Sequence, residues 1–356
     1  MSGRLVVVAT PGDKRAVALQ AAVQRAGWPA PTWVPWLEAI ADPACVGRVV
    51  GHGDFLRVDS PGADPLAWHA LAKLGGLAES LPPTQWRPGR AWYRGLERTL
   101  AAIDVGAAHA RRTHPAAHIL AMTDKVRCQR RLQEAGLAVP PGCAAPPTVE
   151  ALRGLIAERR WTAVFVKPRF GSSGAGVLAF RRAGGREQLT TPAALHGGAL
   201  FNDKHLHTYR EPGVIDRLLG MVLADGALVQ RWIPKAGSEG GPFDLRVLVV
   251  DGVVSHRIGR VGRGPITNLH LDARRAAAED LLAGFPGALT QVDALCAAAA
   301  RCFPGHRCLG IDVLVDPRGR PSIIECNAWG DYLPGLLVNG QDSYDVQVRG
   351  LMREPS

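Results

Sequence analysis

Two carboxylates and an amide stand at close spacing in one late stretch of the 356-residue chain, Gly310-Ile-Asp-Val-Leu-Val-Asp-Pro-Arg-Gly-Arg-Pro-Ser-Ile-Ile-Glu-Cys-Asn327. The turn residues Asp316–Arg320 predict a hairpin over Ile311–Asn327 in which Asp312 faces Glu325 and Leu314 faces Ile323. Alternation then puts Asn327 on the face of Glu325, and Ile311, Val313, Val315, Ile324 and Cys326 on the opposite, apolar face. Like charges opposed across a ladder destabilise it. Either both carboxylates face water, or a cation sits between them. Oxygen ligation by carboxylates and an amide, with the remaining positions left to water and phosphate, is how magnesium is held beside a nucleotide. Asp312, Glu325 and Asn327 are therefore the candidate metal ligands.

A second stretch carries phosphate-binding chemistry: Val164-Phe-Val-Lys-Pro-Arg-Phe-Gly-Ser-Ser-Gly-Ala-Gly-Val177. Lys167 ends a strand, and a turn rich in glycine (Gly171, Ser172, Ser173, Gly174, Gly176) leads into another. Glycines let backbone N–H groups close on phosphate oxygens, and the lysine adds a point charge. Gly-Lys-Ser/Thr is missing, which excludes a P-loop. A strand follows Gly174-x-Gly176, whereas a dinucleotide fingerprint needs a helix there. The glycines follow the lysine, the reverse of a protein kinase. A ligand-free glycine-rich hairpin accounts for the stretch equally well by itself.

The elements that must position these groups are readable in outline. Residues 1–115 open with strand Leu5–Ala9, a Pro-Gly-Asp turn and a helix from Lys14 to Ala26 stopped by Gly27, a doubly wound domain without the dinucleotide fingerprint. Pro, Gly and Trp crowd Trp28–Arg90, which implies long surface loops, with the tryptophans as packing residues; Trp92–Ala110 is helical. His118–Met122 reads as a short strand. Thr123 is the N-cap of a helix over Asp124–Ala135, which ends at Gly136 before Pro140-Pro141. A helix over 148–160 precedes strands Trp161–Val166 and Val177–Arg181. Residues 182–226 are polar and unassigned. Strands Leu228–Ile233 and Phe243–Val250, an Asp251-Gly252 turn, strand Val253–Ile258 and two helices near 273–284 and 288–303 lead to the carboxylate hairpin.

Composition bounds the class. A net charge of +10 raises nucleic acid, but the basic residues are spread through the chain without a run of five or six, so an anionic small molecule or acidic peptide explains the sign better. Of the 42 basic residues six are Lys, namely Lys14, Lys73, Lys125, Lys167, Lys204 and Lys235. No apolar run approaches the ~20 residues of a membrane span, and the N-terminus reads as a strand rather than a secretory signal. Seven cysteines without a CxxC pair fit reduced thiols and a cytoplasmic location. His205-Leu-His207 lacks the clustered ligands of a metal site.

Lys125 in Thr-Asp-Lys, Lys167, Val229-Gln-Arg-Trp-Ile-Pro234, Phe243-Asp-Leu-Arg246, Thr267-Asn-Leu-His270 and Asp312/Glu325/Asn327 stand in the order of the ATP-grasp superfamily. The chain most resembles its ribosomal-protein glutamate ligase branch, over residues 118–337. The resemblance implies an α/β (α+β) ATP-grasp fold preceded by the doubly wound domain: 1–115, a central and lid part at 116–227, and a C-terminal part at 228–356. It implies that Lys125 and Lys167 contact ATP phosphates under the 171–176 loop. The backbone of Gln230, Arg231, Trp232 and Ile233 would bond the adenine edge, Asp244 the ribose, and Asn268 would lie near nucleotide and metal. Asp312, Glu325 and Asn327 would hold one or two magnesium ions, with manganese a substitute. Arg246, Arg257 and Arg260 would steady the transferred phosphoryl group, Arg246 best placed because it shares the strand and face of Asp244. Two positions depart from the pattern: Arg231 stands where Glu is common, and Gly310 where alanine–alanine ligases place Arg.

The implied activity is ATP-dependent joining of a small-molecule or peptide carboxylate to an amine through an acyl phosphate, releasing ADP and phosphate. The absence of a Ser-His-Asp or Cys-His pattern agrees, because no protein nucleophile is needed. Two alternatives stay open: phosphate transfer to a small hydroxyl substrate, and a non-catalytic nucleotide-binding regulator. The substrates and the oligomeric state are not legible.

Overall fold

The computed structural model describes residues 3–78, 82, 85–171, 174–197, 199–267, 269, 273–330 and 333–353. Three sheets follow one another along the chain.

The first sheet runs Thr32–Pro35, Leu5–Ala9, Phe55–Val58, Arg111–Arg112, all parallel. Leu5–Ala9 is buried at every position, as a central parallel strand covered on both faces must be. Leu5 and Val7 pack with helix Lys14–Arg25, and that helix is joined there by Ser343–Met352 from the far end of the chain. Val6 and Val8 face the other side, against Trp36, Leu71, Leu96 and Leu100. Asp13 caps the first helix, accepting from the Ala16 N–H at 2.7 Å, and Gly27 leaves it at φ +66°. The expected long loops over Trp28–Arg90 are instead two strands and helices Trp36–Ala41, Ala44–Val49 and Pro65–Leu74. Most of these elements are four to six residues long, too short to show a period. Trp28, Trp36 and Trp86 are buried packing residues.

Ala116–Thr123 is a helix, not the expected strand at His118–Met122. A short apolar run fits either state, and here Ile119, Ala121 and Met122 are buried as one helix. Thr123 ends that helix. The cap of Lys125–Glu134 is Asp124, which accepts from the N–H groups of Val126 and Arg127.

The second sheet is antiparallel: Gly142–Ala144, Ala227–Arg231, Ala163–Pro168, Leu178–Ala183, Arg186–His196, Ala199–Tyr209. Helices Val149–Glu158 and Pro212–Ala224 pack with it through Leu152, Ile156, Ile215, Leu218 and Leu219. The unassigned 182–226 segment is thus a long hairpin and a helix. The expected division after residue 227 puts Leu228–Arg231 in the C-terminal part, whereas the partners of strand Ala227–Arg231 lie in this sheet.

The third sheet runs Arg274–Ala276, Val253–Val261, Gly241–Val250, Cys308–Val315, Pro321–Asn327. Asp251 (φ +49°) and Gly252 (φ +80°) make the expected tight turn. The helix expected near 273–284 is strand Arg274–Ala276 followed by the short helix Ala278–Leu282. In the carboxylate hairpin Asp312 does pair with Glu325, but a bulge follows, so Val313 pairs with Ile323 and Leu314 with Ser322. The bulge exchanges two isoleucines: Ile323 enters the core and Ile324 joins the cleft face. No helix among the described residues is long and apolar enough to cross a membrane.

Candidate active site

The second and third sheets face each other across a cleft of about 840 Å³. Strand alternation decides what enters it. In Ala163–Pro168, Lys167 points inward and is 7% exposed. Burial, the main cause, lowers its ammonium to about 8 despite Glu325 nearby. Its Nζ donates to Gln230 Oε1 at 2.7 Å, Gln230 Nε2 to Gln129 Oε1 at 2.8 Å, and Gln129 Nε2 to the Pro140 carbonyl at 2.7 Å. The Gln230 side chain thus fixes the lysine, a role the sequence did not show.

Lys125 occupies the first helical position after Asp124. Its Nζ donates to the Gly171 carbonyl and lies 3.9 Å from Glu325 Oε2. Asp124 receives a two-point contact from Arg169, at 2.8 and 2.6 Å, which ties this helix to the glycine loop. Gly174 (φ +74°) lines the cleft. Gly176 (φ +67°) turns against Trp86, whose Nε1 lies 2.4 Å from where a Cβ would stand. Ser172, Ser173, Asn268 and His270 fall outside the described residues.

At the hinge, the Arg231 N–H donates to Pro141 O and the Trp232 N–H to Ala163 O. No hydrogen bond among the described residues takes the Ile233 N–H. Arg231 and Ile233 line the cleft, while the Trp232 ring packs on Phe165 at 5.2 Å and under Arg181.

From the third sheet, Asp244 and Arg246 share a face, and their cross-strand partners are Arg260 and Asp312. Arg260 Nε meets Asp244 Oδ1 at 2.7 Å and its Nη2 meets Asp312 Oδ2 at 3.2 Å. Arg246 Nε meets Asp312 Oδ1 at 2.7 Å. Asp244 also accepts from Lys235 at 2.7 Å and from the Thr267 hydroxyl. Burial opposes its ionisation, but Arg260 and Lys235 outweigh that and hold it below the usual carboxylate range. Its oxygens are therefore engaged by protein groups, at odds with the ribose role expected of it. For Asp312, burial dominates and raises the carboxyl against Arg246 and Arg260. For Glu325, burial is overcome by Lys125 and Lys167, and the carboxyl is lowered.

The structure thus gathers Lys125, Lys167, Gly171, Gly174, Gln230, Arg231, Ile233, Asp244, Arg260, Asp312 and Glu325 into one cleft, with Arg246 behind Asp312. Asn327 donates to the Gly310 carbonyl at 3.3 Å. Gly310 itself makes room for Arg246, whose Nη1 would lie 3.0 Å from a Cβ there. Arg257 is not part of the site. It falls one residue out of phase with Ile258 and Arg260, on the opposite face, where its Nε meets Asp293 at 2.6 Å. Arg257→Gln is expected to leave nucleotide affinity and turnover within about twofold and to lower stability by ~1 kcal/mol. Titration calorimetry and a melting curve check it; a large loss of turnover at unchanged stability would restore Arg257 to the site.

Lys235 escaped the sequence reading, although a signal was available. Three of the six lysines, Lys125, Lys167 and Lys235, line this one cleft. In a chain that uses Arg almost everywhere, a retained Lys marks a place where a compact point charge is needed.

Six cations (Lys125, Lys167, Arg231, Lys235, Arg246 and Arg260) and three carboxylates (Asp244, Asp312 and Glu325) meet here, so three positive charges are in excess, the complement of a polyphosphate. No group of three His, Cys, Asp or Glu able to hold a metal forms among the described residues. Asp312, already paired with Arg246 and Arg260, and Glu325 present opposed carboxylates, the hard-oxygen donor type that suits magnesium.

Known proteins share the fold around this cleft. A family model described as YheC/D like ATP-grasp matches residues 123–332. No curated protein matches the chain in sequence. Among solved structures it is similar to the D-cycloserine synthetase DcsG, at 16% identity and TM-score 0.61 over 98% of each chain. It is also similar to the ATP-grasp ligase PsnB complexed with a minimal precursor, at 17% identity and TM-score 0.58 over 99% of each chain. A third is a RimK domain ATP-grasp protein from Sphaerobacter thermophilus, at 14% identity and TM-score 0.52 over 98% of each chain. At these identities the likeness is one of fold.

Proposed function

Because the chain belongs to the YheC/D-like ATP-grasp family, we propose that it is an ATP- and magnesium-dependent carboxylate–amine ligase working through an acyl phosphate. The observation that carries this is the cleft's charge arrangement: Lys125 and Lys167 beside the opposed carboxylates Asp312 and Glu325, under a glycine loop. Lys125 and Lys167 would neutralise the phosphates, and the loop that begins at Gly171 would close over them with Ser172 and Ser173. The Ile233 N–H would bond the adenine edge between Val177 and the pair Leu314 and Ile324. Asp312, Glu325 and Asn327 would hold magnesium, which supplies charge neutralisation at the phosphates. Arg246 and Arg260, held in place by Asp312, would lie near the transferred phosphoryl group. A substrate carboxylate attacks the γ-phosphate, ADP leaves, and an amine displaces phosphate from the acyl phosphate to form the amide. The ring packing of Trp86 against Gly176 helps the loop exclude water from that anhydride. The likeness to PsnB, an ATP-grasp ligase complexed with a precursor, and to DcsG, a D-cycloserine synthetase, supports peptide or small-molecule substrates. Seven free cysteines agree with a reducing, cytoplasmic setting. Residues 116–231 would move as the lid and 232–356 as the metal-bearing half.

The test is an ADP-release screen over carboxylic acids and acidic peptides, with hydroxylamine as the trapping amine. A hydroxamate with stoichiometric phosphate is the expected result. A stable phosphoester without free phosphate would make the protein a phosphotransferase, and intact ATP under every condition would make it a regulator.

A further inference from the structure

Two more cavities adjoin the nucleotide cleft beside the hairpin Arg186–His196/Ala199–Tyr209. One lies between Arg181, Thr190 and Trp232 on one side and Arg263–Pro265 on the other. The next, of about 1640 Å³, lies between Thr190, Leu206 and Thr208 of the hairpin and Gly262–Ile266 with Arg274. Pro265 lines all three spaces, so they adjoin one another in a row that leads toward the cleft.

The chemistry of this path is one-sided. Its ionisable lining is Arg181, Lys235, Arg263 and Arg274, and no Asp or Glu lines either added cavity among the described residues. Lys235 is held by Asp244, and Arg181 lies on the Trp232 ring at 4.6 Å. Arg263 and Arg274 are exposed and make no ion pair with the described residues. Elsewhere in the chain Arg153, Arg246, Arg257 and Arg260 are each held by carboxylates. The Arg274 guanidinium lies against Gly240, at the mouth of the larger cavity. Leu206, Val261, Pro265 and Ile266 supply an apolar floor between the charges.

The shape favours an extended chain over a single small acid. Ala199–Tyr209 is the edge strand of the second sheet. Among the described residues its outer edge is engaged only at its start, by Trp86 N–H to Leu200 O and by the Gln85–Phe201 bridge. An open edge accepts a further strand, and Leu206 and Thr208 of that strand line the adjacent cavity.

We propose that this path is a docking groove for an acidic peptide segment, whose carboxylates pair with Arg263 and Arg274 while its backbone runs beside the edge strand. That the docked peptide is also the ligase substrate rests on the function proposed above; its binding does not. The test measures fluorescence anisotropy of fluorescein-labelled hexaglutamate with the full chain, without nucleotide. Binding that weakens with salt, falls roughly tenfold in R263E and in R274E, and disappears in the double variant is the expected result, with hexaglutamine failing to bind. The affinity for an ATP analogue should stay unchanged in both single variants. No binding, or equal binding by the double variant, would overturn the groove. So would displacement by free glutamate as effective as by hexaglutamate, which would show a small-anion site. Displacement by an oligothymidylate of the same charge at equal concentration would show an unselective polyanion surface and overturn it too. If hexaglutamate binds as expected but no acid gives ADP release, the groove stands and the ligase assignment fails.

Discussion

Glu325→Gln is expected to stop ADP release by about a hundredfold or more while leaving the melting temperature within about 2 °C. Asp312→Asn is expected to lose both. The difference follows from what each carboxylate does in the absence of nucleotide. Glu325 is partly exposed and its nearest cation, Lys125, is 3.9 Å away. Asp312 is buried between Arg246 at 2.7 Å and Arg260 at 3.2 Å. Removing its charge leaves two guanidinium groups confined together, at a cost of about 3–5 kcal/mol. Glu325→Gln is therefore the clean probe of chemistry, read by ADP release together with a thermal melt. Full ADP release by that variant would remove the metal site from this account.

Lys167→Met is expected to weaken ATP binding by roughly a hundredfold and to abolish its dependence on pH near 8. In the wild type, affinity for an ATP analogue should be flat below pH 7 and fall as pH rises through about 8, where the buried ammonium gives up its proton. Stability moves the other way. The unfolded lysine keeps its proton up to 10.5 and the folded one only to about 8, so the unfolded chain binds more protons in between. Stability should rise across that window, and below it the buried charge is carried at full cost. Calorimetric titrations from pH 6 to 9.5 test the first statement and denaturant melts the second. Affinity unchanged across that range, or a variant that keeps the wild-type slope, would show that Lys167 does not meet the phosphates.

The parts of this architecture that depend on local alternation were legible in the sequence. Asp312 opposite Glu325 and Asp244 sharing a face with Arg246 follow from a period of two, and both are present. The bulge that exchanges Ile323 for Ile324 was not legible, because both are apolar isoleucines and either suits a core. Arg257 was misplaced for want of phase: its strand carries Arg at 257 and 260, and only the pairing partner on Gly241–Val250 tells which one faces the cleft. The hairpin over 186–209 was hidden by its polar residues, whose strand propensity shows only when they lie on an exposed sheet face. The network that engages Asp244 through Lys235 and Thr267 spans three separated segments, and no linear pattern encodes it.

Helix Ser343–Met352 covers one side of the first sheet, with Tyr344, Val348 and Leu351 against Leu5 and Val7 and with Asp342 and Asp345 clasping Arg25. A ribosome makes that sheet well before this helix. Until residues 343–352 emerge, helix Lys14–Arg25 covers that flank alone, so Leu5, Val7 and Phe55 gain the rest of their cover only from a segment made far later.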